Sequence, residues 1–352
     1  MIRNAFKLFA LYQKAFNMAG NGIRGLVKLL FAPENKPAPS PSQAQHSPKA
    51  AVQPEKGYLY LYLNKNNCDA RCIFCSRSRK AFRAAIGREQ ARHDFQAELE
   101  AIRQRIASWS EPNVFHIGGH EPAIYPTLLP IVQAAKERGF QKIVLETNGL
   151  ALADERLVVE LKAAGLNEVR LPVYGQSAAV HNAITGIADS FEKLQRAMEN
   201  LRRQAIPFLL KTVVLKQNLQ ELPLLLQQNP KMGVSFVMPW SVRPEPYQRV
   251  CPPLSKVPVK VLDRIRNIYL PCLFPPRFLW RDPAPQSGEG WVALSNGRVI
   301  YQGNRKNLSA EQLAQMKLKP AKCSCCSQRE KCSGIYPAYL KIYGYGEFRP
   351  LS

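Results

Sequence analysis

No run of apolar residues in this 352-residue chain approaches the ~18 needed to cross a bilayer, which excludes a helical membrane span. Acidic residues are scarce. Only 26 Asp and Glu face 49 Lys and Arg, leaving a formal charge of +23. That balance predicts affinity for anionic partners such as nucleic acid, phosphorylated ligands or an acidic membrane surface, and it equally describes a solvated basic surface. Cysteines are absent from most of the chain. The 9 present are odd in number and cluster at the two ends of the folded region, unlike the even, dispersed spacing of a secreted disulfide framework. A reducing, cytoplasmic setting and metal–sulfur chemistry follow. The sequence has no internal repeat, and its 46% hydrophobic content is ample for a buried core.

The first 32 residues lack acidic side chains altogether but carry Arg3, Lys7, Lys14, Arg24 and Lys28. On a helix, Arg3, Lys7 and Lys14 share one face, and Ile2, Phe6, Phe9 and Phe16 the other. This describes an interfacial anchor in peripheral contact with an anionic membrane, or a helix docked on the protein's own surface. Lys14 interrupts the apolar segment and no small-residue cleavage site follows, so it does not read as a signal peptide. Residues 33–56, rich in Pro, Ala, Ser and Gln, have little to bury and read as a flexible tether.

From Tyr58 onward, short apolar strands alternate with helical stretches. Strands are expected at 58–63, 113–118, 141–146, 168–173, 207–215 and 233–238. Helices are expected near 93–108, 127–138, 154–164, 189–204 and 219–228. Six β/α units in strict alternation predict a parallel sheet, open or curled into a barrel, with its chemistry beyond the C-terminal strand ends. This core spans 57–240. Residues 241–352 read as a separate C-terminal module: Pro-rich irregular sequence, a hairpin turning at Asn296-Gly297, and a second cysteine cluster.

Directly after the first strand stands "CDARCIFC", with Cys68, Cys72 and Cys75. Thiolates select soft or borderline metals, so the loop holds zinc or an iron–sulfur cluster. Zinc wants a fourth thiolate or imidazole, and none follows before His93. A cubane on three thiolates leaves one iron open to an exogenous ligand. The second strand ends in "HIGGHEP", where Gly118 and Gly119 allow close backbone approach, and His120 adds a base to the loop. The third strand ends in "LETNG", whose Thr147 and Asn148 are hydrogen-bonding residues and also good turn formers. His181 follows the fourth strand, either facing the site or capping a helix.

The Cys-x3-Cys-x-aromatic-Cys loop, with Phe74 at the aromatic position, resembles the signature of the radical S-adenosylmethionine (radical SAM) superfamily. The resemblance covers about residues 57–240. It implies an α/β fold, a partial (β/α)6 TIM-like barrel, in which Cys68, Cys72 and Cys75 hold a [4Fe-4S] cluster. It further implies that S-adenosylmethionine chelates the open iron, with Phe74 near the adenine and the Gly118-Gly119-x-Glu121 stretch on the methionine amino group. Thr147 and Asn148 fall in a segment similar to those lining the cofactor and substrate cavity. The implied activity is reductive cleavage of S-adenosylmethionine to a 5′-deoxyadenosyl radical that abstracts hydrogen from a substrate. A reductant protein such as a flavodoxin or ferredoxin is the implied electron source.

Cys323, Cys325, Cys326 and Cys332 lie within ten positions. The frame Cys323-x2-Cys326-x5-Cys332 resembles the SPASM-like auxiliary-cluster modules of radical SAM enzymes that modify peptides and proteins. Those modules usually carry a cysteine just after the hairpin, and Gln302 stands there instead. Cys272 is the expected substitute, ahead of Cys325 and Cys251. A second [4Fe-4S] cluster and a structural zinc both suit four thiolates. The expected substrate is a peptide or protein. RNA or a small anionic substrate is the alternative that the charge suggests. A zinc-stabilised nucleic-acid-binding protein without catalysis would explain charge and thiols but not the strand-end "GGHEP" or the β/α units.

Overall fold

Tyr58–Leu63 (β1) alternates strictly between half-buried tyrosines and buried leucines, the signature of a strand with two unlike faces. In the computed structural model, residues 57–75, 80–236, 244–265, 270, 272–273, 291–295, 298–302, 318–330, 332 and 334–351 are described. The basic N-terminal helix, the tether, Arg77, Arg79 and the Asn296-Gly297 turn lie outside the described residues.

After β1 come helices Lys80–Gln90 (α1) and Phe95–Ala107 (α2), then strand Val114–Gly119 (β2), helix Leu128–Arg138 (α3) and strand Lys142–Glu146 (β3). Helix Glu155–Ala164 (α4), strand Glu168–Pro172 (β4), helices Ala178–Thr185 (α5) and Ser190–Arg203 (α6), strand Phe208–Val214 (β5), helix Leu222–Gln228 (α7) and strand Gly233–Phe236 (β6) follow. Local chemistry sets several boundaries. Asp94, Asp154 and Ser177 cap the starts of α2, α4 and α5 through their side-chain oxygens, satisfying N–H groups that lack a helical partner.

Strands β1 to β6 pair in parallel and in sequential order. Right-handed crossovers between successive neighbours place every helix on one face, so the sheet curls instead of being covered on both sides. The helix-side strand residues, including Leu59, Leu61, Phe115, Ile117, Ile143, Leu145, Val169, Leu171 and Val214, form one core with the helices. The other, concave face carries Tyr58, Tyr60, Tyr62, His116, Glu146, Arg170 and Lys211. This is the expected partial (β/α)6 barrel. Among the described residues the strand order is linear, so the barrel is unclosed.

An open sheet leaves two edges of unpaired backbone groups, and the C-terminal region covers both. Strand Trp291–Ser295 (β7) pairs in parallel with β1, and Arg298–Gln302 (β8) pairs antiparallel with β7. At the far edge Val234 forms an isolated bridge with Ile265. The expected hairpin is thus present, but it extends the main sheet. Helices Pro244–Val250 (α8), Val259–Leu262 (α9) and Pro337–Tyr343 (α10) complete the described elements. Tyr339 of α10 is fully buried and accepts a 2.7 Å hydrogen bond from the Leu254 amide, while Tyr343 donates to the Cys251 carbonyl at 2.6 Å. These bonds join residues 251–254 to α10, and buried residues from Tyr247 to Phe348 belong to the same hydrophobic cluster as the sheet and its helices.

Candidate active site

The loop bearing Cys68, Cys72 and Cys75 leaves the C-terminal end of β1 and is held from three sides. Arg83 of α1 donates to the carbonyls of Cys68 (2.6 Å) and Ala70 (3.3 Å), and Asn67 returns a hydrogen bond to the Arg83 carbonyl at 3.1 Å. The amides of Arg71 and Ile73 donate to Thr185 and Ile184 at the end of α5, at 2.8 and 2.9 Å. Asn66 donates to the Glu121 carbonyl at 2.7 Å, and its own carbonyl lies 2.8 Å from His120 Nδ1. All three thiols are free and half-buried.

Glu121 links the strand ends. It is 1% exposed, and its carboxylate accepts from the amides of Ala123 (2.9 Å) and Asn148 (2.8 Å) and from the Thr147 hydroxyl. Burial pushes its carboxyl up to about 7, with those same donors opposing the shift. Asn148 in turn donates to Asp69 at 2.5 Å and lies 3.6 Å from Cys68 Sγ. The ends of β1, β2 and β3 are thereby joined through Asp69, Asn148 and Glu121. Thr147 and Asn148, expected at the site, stand there. Glu121 stands beneath it, its oxygens occupied by protein donors.

The two glycines serve packing that the sequence alone does not display. A Cβ on Gly119, whose φ is +139°, would lie 1.9 Å from the Leu63 carbonyl oxygen, and one on Gly118 would lie 2.2 Å from the Tyr60 hydroxyl. Each glycine lets β1 and β2 approach where the cysteine loop begins.

Phe74 packs edge-on against Tyr174, with ring centroids 5.4 Å apart. Tyr174 is buried and lies within electrostatic reach of all three thiols and of Glu146; burial and those charges hold its phenol well above the usual range. Sequence reasoning missed Tyr174, Arg83 and Asp69. Only Tyr174 had a signal, an aromatic two residues past the end of β4. His181 is buried beneath Tyr174, accepts from its amide at 3.3 Å, and burial lowers it to about 4, which makes it a neutral packing residue.

Burial pushes the Cys72 thiol up to about 12, and burial first, then Glu121, also raises Cys68. Thiolates here would therefore need a cationic centre to compensate them, which fits an iron–sulfur cluster. Cys68, Asp69 and Glu121 offer donor atoms within 4.8 Å of one another, but Glu121 and Asp69 are engaged by the donors just described. The soft donors, not the carboxylates, remain available.

A second group of thiols gathers at the other end of the chain. Cys323 is raised by burial and then by nearby Cys332 and Cys326, and Cys272 by burial and then by nearby Cys332 and Cys323. Backbone amides point at three of these sulfurs: Leu351 at Cys326 and Gly334 at Cys332, both at 3.4 Å, and Arg349 at Cys272. Cys325 is exposed and directed to the Lys322 carbonyl at 3.5 Å, while Cys251 is buried against the Pro252 carbonyl at 3.4 Å. Of the three cysteines weighed as the fourth member, Cys272 is the one whose thiol is raised by burial and then by Cys332 and Cys323.

A curled parallel sheet with a three-thiol loop at its C-terminal edge defines a class: barrel-type α/β folds with a candidate metal–sulfur site at the strand ends. The family model described as Radical SAM superfamily matches residues 65–228, so this stretch of the chain is a radical SAM domain. The AdoMet-dependent heme synthase of Methanosarcina barkeri is 27% identical over 195 residues, 52% of this chain and 53% of that protein. A probable GTP 3′,8-cyclase of Saccharolobus islandicus is 25% identical over 171 residues, 48% of this chain and 52% of that protein. The chain spans about half the length of the curated relatives it matches. The solved structure "Native anSMEcpe with bound AdoMet" is 16% identical and superimposes with a TM-score of 0.49, over 83% of this chain and 95% of that one. No helix among the described residues is long and apolar enough to cross a membrane.

Proposed function

We propose that the chain is a radical SAM enzyme that modifies a peptide or protein side chain lying against the concave face of its sheet. Cys68, Cys72 and Cys75 would hold the [4Fe-4S] cluster. The Gly118-Gly119 strand end, Thr147, Asn148 and Phe74 would line the S-adenosylmethionine site, with Glu121 bracing it. When bound, cluster and S-adenosylmethionine supply reductive cleavage of the sulfonium and hydrogen-atom abstraction from the substrate. The chain's own contribution is positional. Arg83 and Asn66 fix the loop, Asn148 orients Asp69 beside Cys68, and Tyr174 with Phe74 keeps water from one side of the thiols. The observation that carries the reading is the convergence of three unpaired thiols at one strand end, with no fourth thiol beside them among the described residues.

The polypeptide substrate is favoured by the resemblance of the C-terminal cysteines to auxiliary-cluster modules. Cys272, Cys323, Cys326 and Cys332 would carry a second [4Fe-4S] cluster. Exposed Arg71, Lys80, Arg88 and Arg92 beside the cysteine loop would steer an acidic reductant protein such as a flavodoxin or ferredoxin. A small anionic substrate is the second reading, favoured by Lys211 and Arg170 on the concave face and by relatives named for heme and GTP chemistry.

Anaerobic reconstitution tests the reading: iron and zinc are counted and 5′-deoxyadenosine assayed in the wild type and in a Cys68/Cys72/Cys75→Ala triple variant. The wild type is expected to bind about eight irons and the triple variant about four, from the stoichiometry of cubanes. Deoxyadenosine should form only in the wild type. Zinc alone, without deoxyadenosine, would overturn the proposal.

A further inference from the structure

The concave face of the sheet holds a charged cluster that the metal-site residues do not use. Glu146, the last residue of β3, receives Lys211 of β5 at 2.8 Å across the intervening strand, and His116 Nε2 of β2 approaches the same oxygen to 3.2 Å. The Tyr58 hydroxyl meets the other nitrogen of His116. One strand over, Glu168 takes Lys142 at 2.6 Å and Arg170 Nε at 3.3 Å. Glu146 and Arg170 are register neighbours, so the two groups form one surface. His116 and Glu168 are buried, and the others are half-exposed on the concave face: 39% for the side chains of Glu146 and Lys211, 26% for Arg170.

The charges do not balance. Lys142, Arg170 and Lys211 oppose two carboxylates, and burial keeps His116 neutral, so one positive charge is uncompensated. Arg170 engages only Nε, and its two terminal nitrogens have no partner among the described residues. A planar guanidinium with its outer fork free, beside an ammonium, is the donor geometry for a carboxylate.

We infer that Arg170 and Lys211 form an anion subsite on the concave face that holds one carboxylate of the substrate, with Glu146 the competing protein carboxylate that keeps Lys211 in place. A single negative charge neutralises the surplus, and a planar carboxylate matches the two-pronged guanidinium. Glu146 ends β3 and directly precedes Thr147 and Asn148, which places the subsite next to the proposed reaction centre. Calling the ligand a substrate rests on the proposed function. Anion binding itself does not, and it is measured without iron or S-adenosylmethionine.

The full chain, labelled with 15N-arginine, is titrated with propionate, with N-acetyl-glutamate methylamide and with inorganic phosphate at constant ionic strength. The Arg170 Nε–H signal is identified by its loss in Arg170→Lys. A saturable shift of that signal is expected for both carboxylates, and binding of phosphate tighter than either would overturn the carboxylate assignment. Tighter binding of the glutamyl probe points to an acidic residue of a polypeptide, and tighter binding of propionate to a small acid; either supports the subsite. Lys211→Gln should weaken binding about tenfold, Lys211→Arg should retain it, and Glu146→Gln should tighten it several-fold by releasing the competitor. Arg203→Gln, a change at an exposed helix pair, should leave it unaltered. Absence of a saturable shift overturns the subsite, as does tightening that fails to appear in Glu146→Gln. Displacement of propionate by S-adenosylmethionine would assign the anion site to the cofactor and overturn it equally. Loss of iron binding with anion binding intact would instead count against the proposed function.

Discussion

The two cysteine groups are built differently. At Cys68, Cys72 and Cys75 three thiols sit on a loop fixed by side chains from α1, β2 and β3, with carboxylates beside them. At Cys272, Cys323, Cys326 and Cys332 four thiols come from two stretches about 50 residues apart, and backbone amides point at the sulfurs. The first group sits on a loop held by hydrogen bonds from neighbouring elements and offers three thiols. The second, on the proposed assignment, has four, and a metal there would tie its two stretches together. From this comparison we propose chemistry at the first site and architecture at the second.

The difference is sharpest in stability. In reconstituted protein, Cys323→Ala should cost about 4 kcal/mol, the loop-closure value for a cross-link over ~50 residues, whereas Cys72→Ala should cost less than half of that. Urea denaturation of both variants decides it, and equal losses would erase the distinction. Next, Glu121→Ala removes the acceptor for two amides and a hydroxyl in a buried site, with an expected cost of about 3 kcal/mol. Iron should be lost from the first site alone. Iron analysis showing loss from both sites would mean that the two groups are not independent.

Gly118→Ala should destabilise by about 2 kcal/mol, because the new methyl meets the Tyr60 hydroxyl. Adding Tyr60→Phe should recover about 0.5–1 kcal/mol of this, measured as a double-mutant cycle. The smallest effect is a pH dependence. His181 is held neutral by burial, its pKa lowered to about 4 in the fold, so the unfolded chain binds the extra proton. Its contribution is present above the unfolded value near 6.5 and is lost as pH falls towards 4. From about pH 7 to about pH 6 the loss is ~0.7 kcal/mol. His181→Leu should remove that slope in denaturation curves.

Much of the fold was legible because strands such as "YLYLYL" alternate with period two and helices with period 3.6 between turn residues. All six core strands fall within two residues of expectation. Helix α5 was not foreseen. Its eight residues, "AAVHNAIT", are too short and too uniformly apolar to show a face. Its C-terminal turn nonetheless pins the cysteine loop. The pairing of β7 with β1 joins residues over 200 positions apart, and no local pattern encodes such a contact. The thiols themselves were legible, since metal ligands are few residue types at fixed spacing. Their support was not: Arg83 looked like one more charge in a basic stretch, and its two hydrogen bonds to the loop exist only after α1 packs. The glycines of "HIGGHEP" were singled out for close approach to a ligand, and each also makes room for a neighbour on β1, Tyr60 or Leu63, that no local pattern displays.

The most direct test of the open-versus-closed comparison is electron paramagnetic resonance of the reduced, reconstituted protein with and without S-adenosylmethionine. The wild-type spectrum should change on addition. The Cys68/Cys72/Cys75→Ala variant should retain about half of the iron and give a spectrum that does not respond. A response that survives in that variant, or that disappears instead in Cys323→Ala, would contradict the assignment of the open site to the first loop.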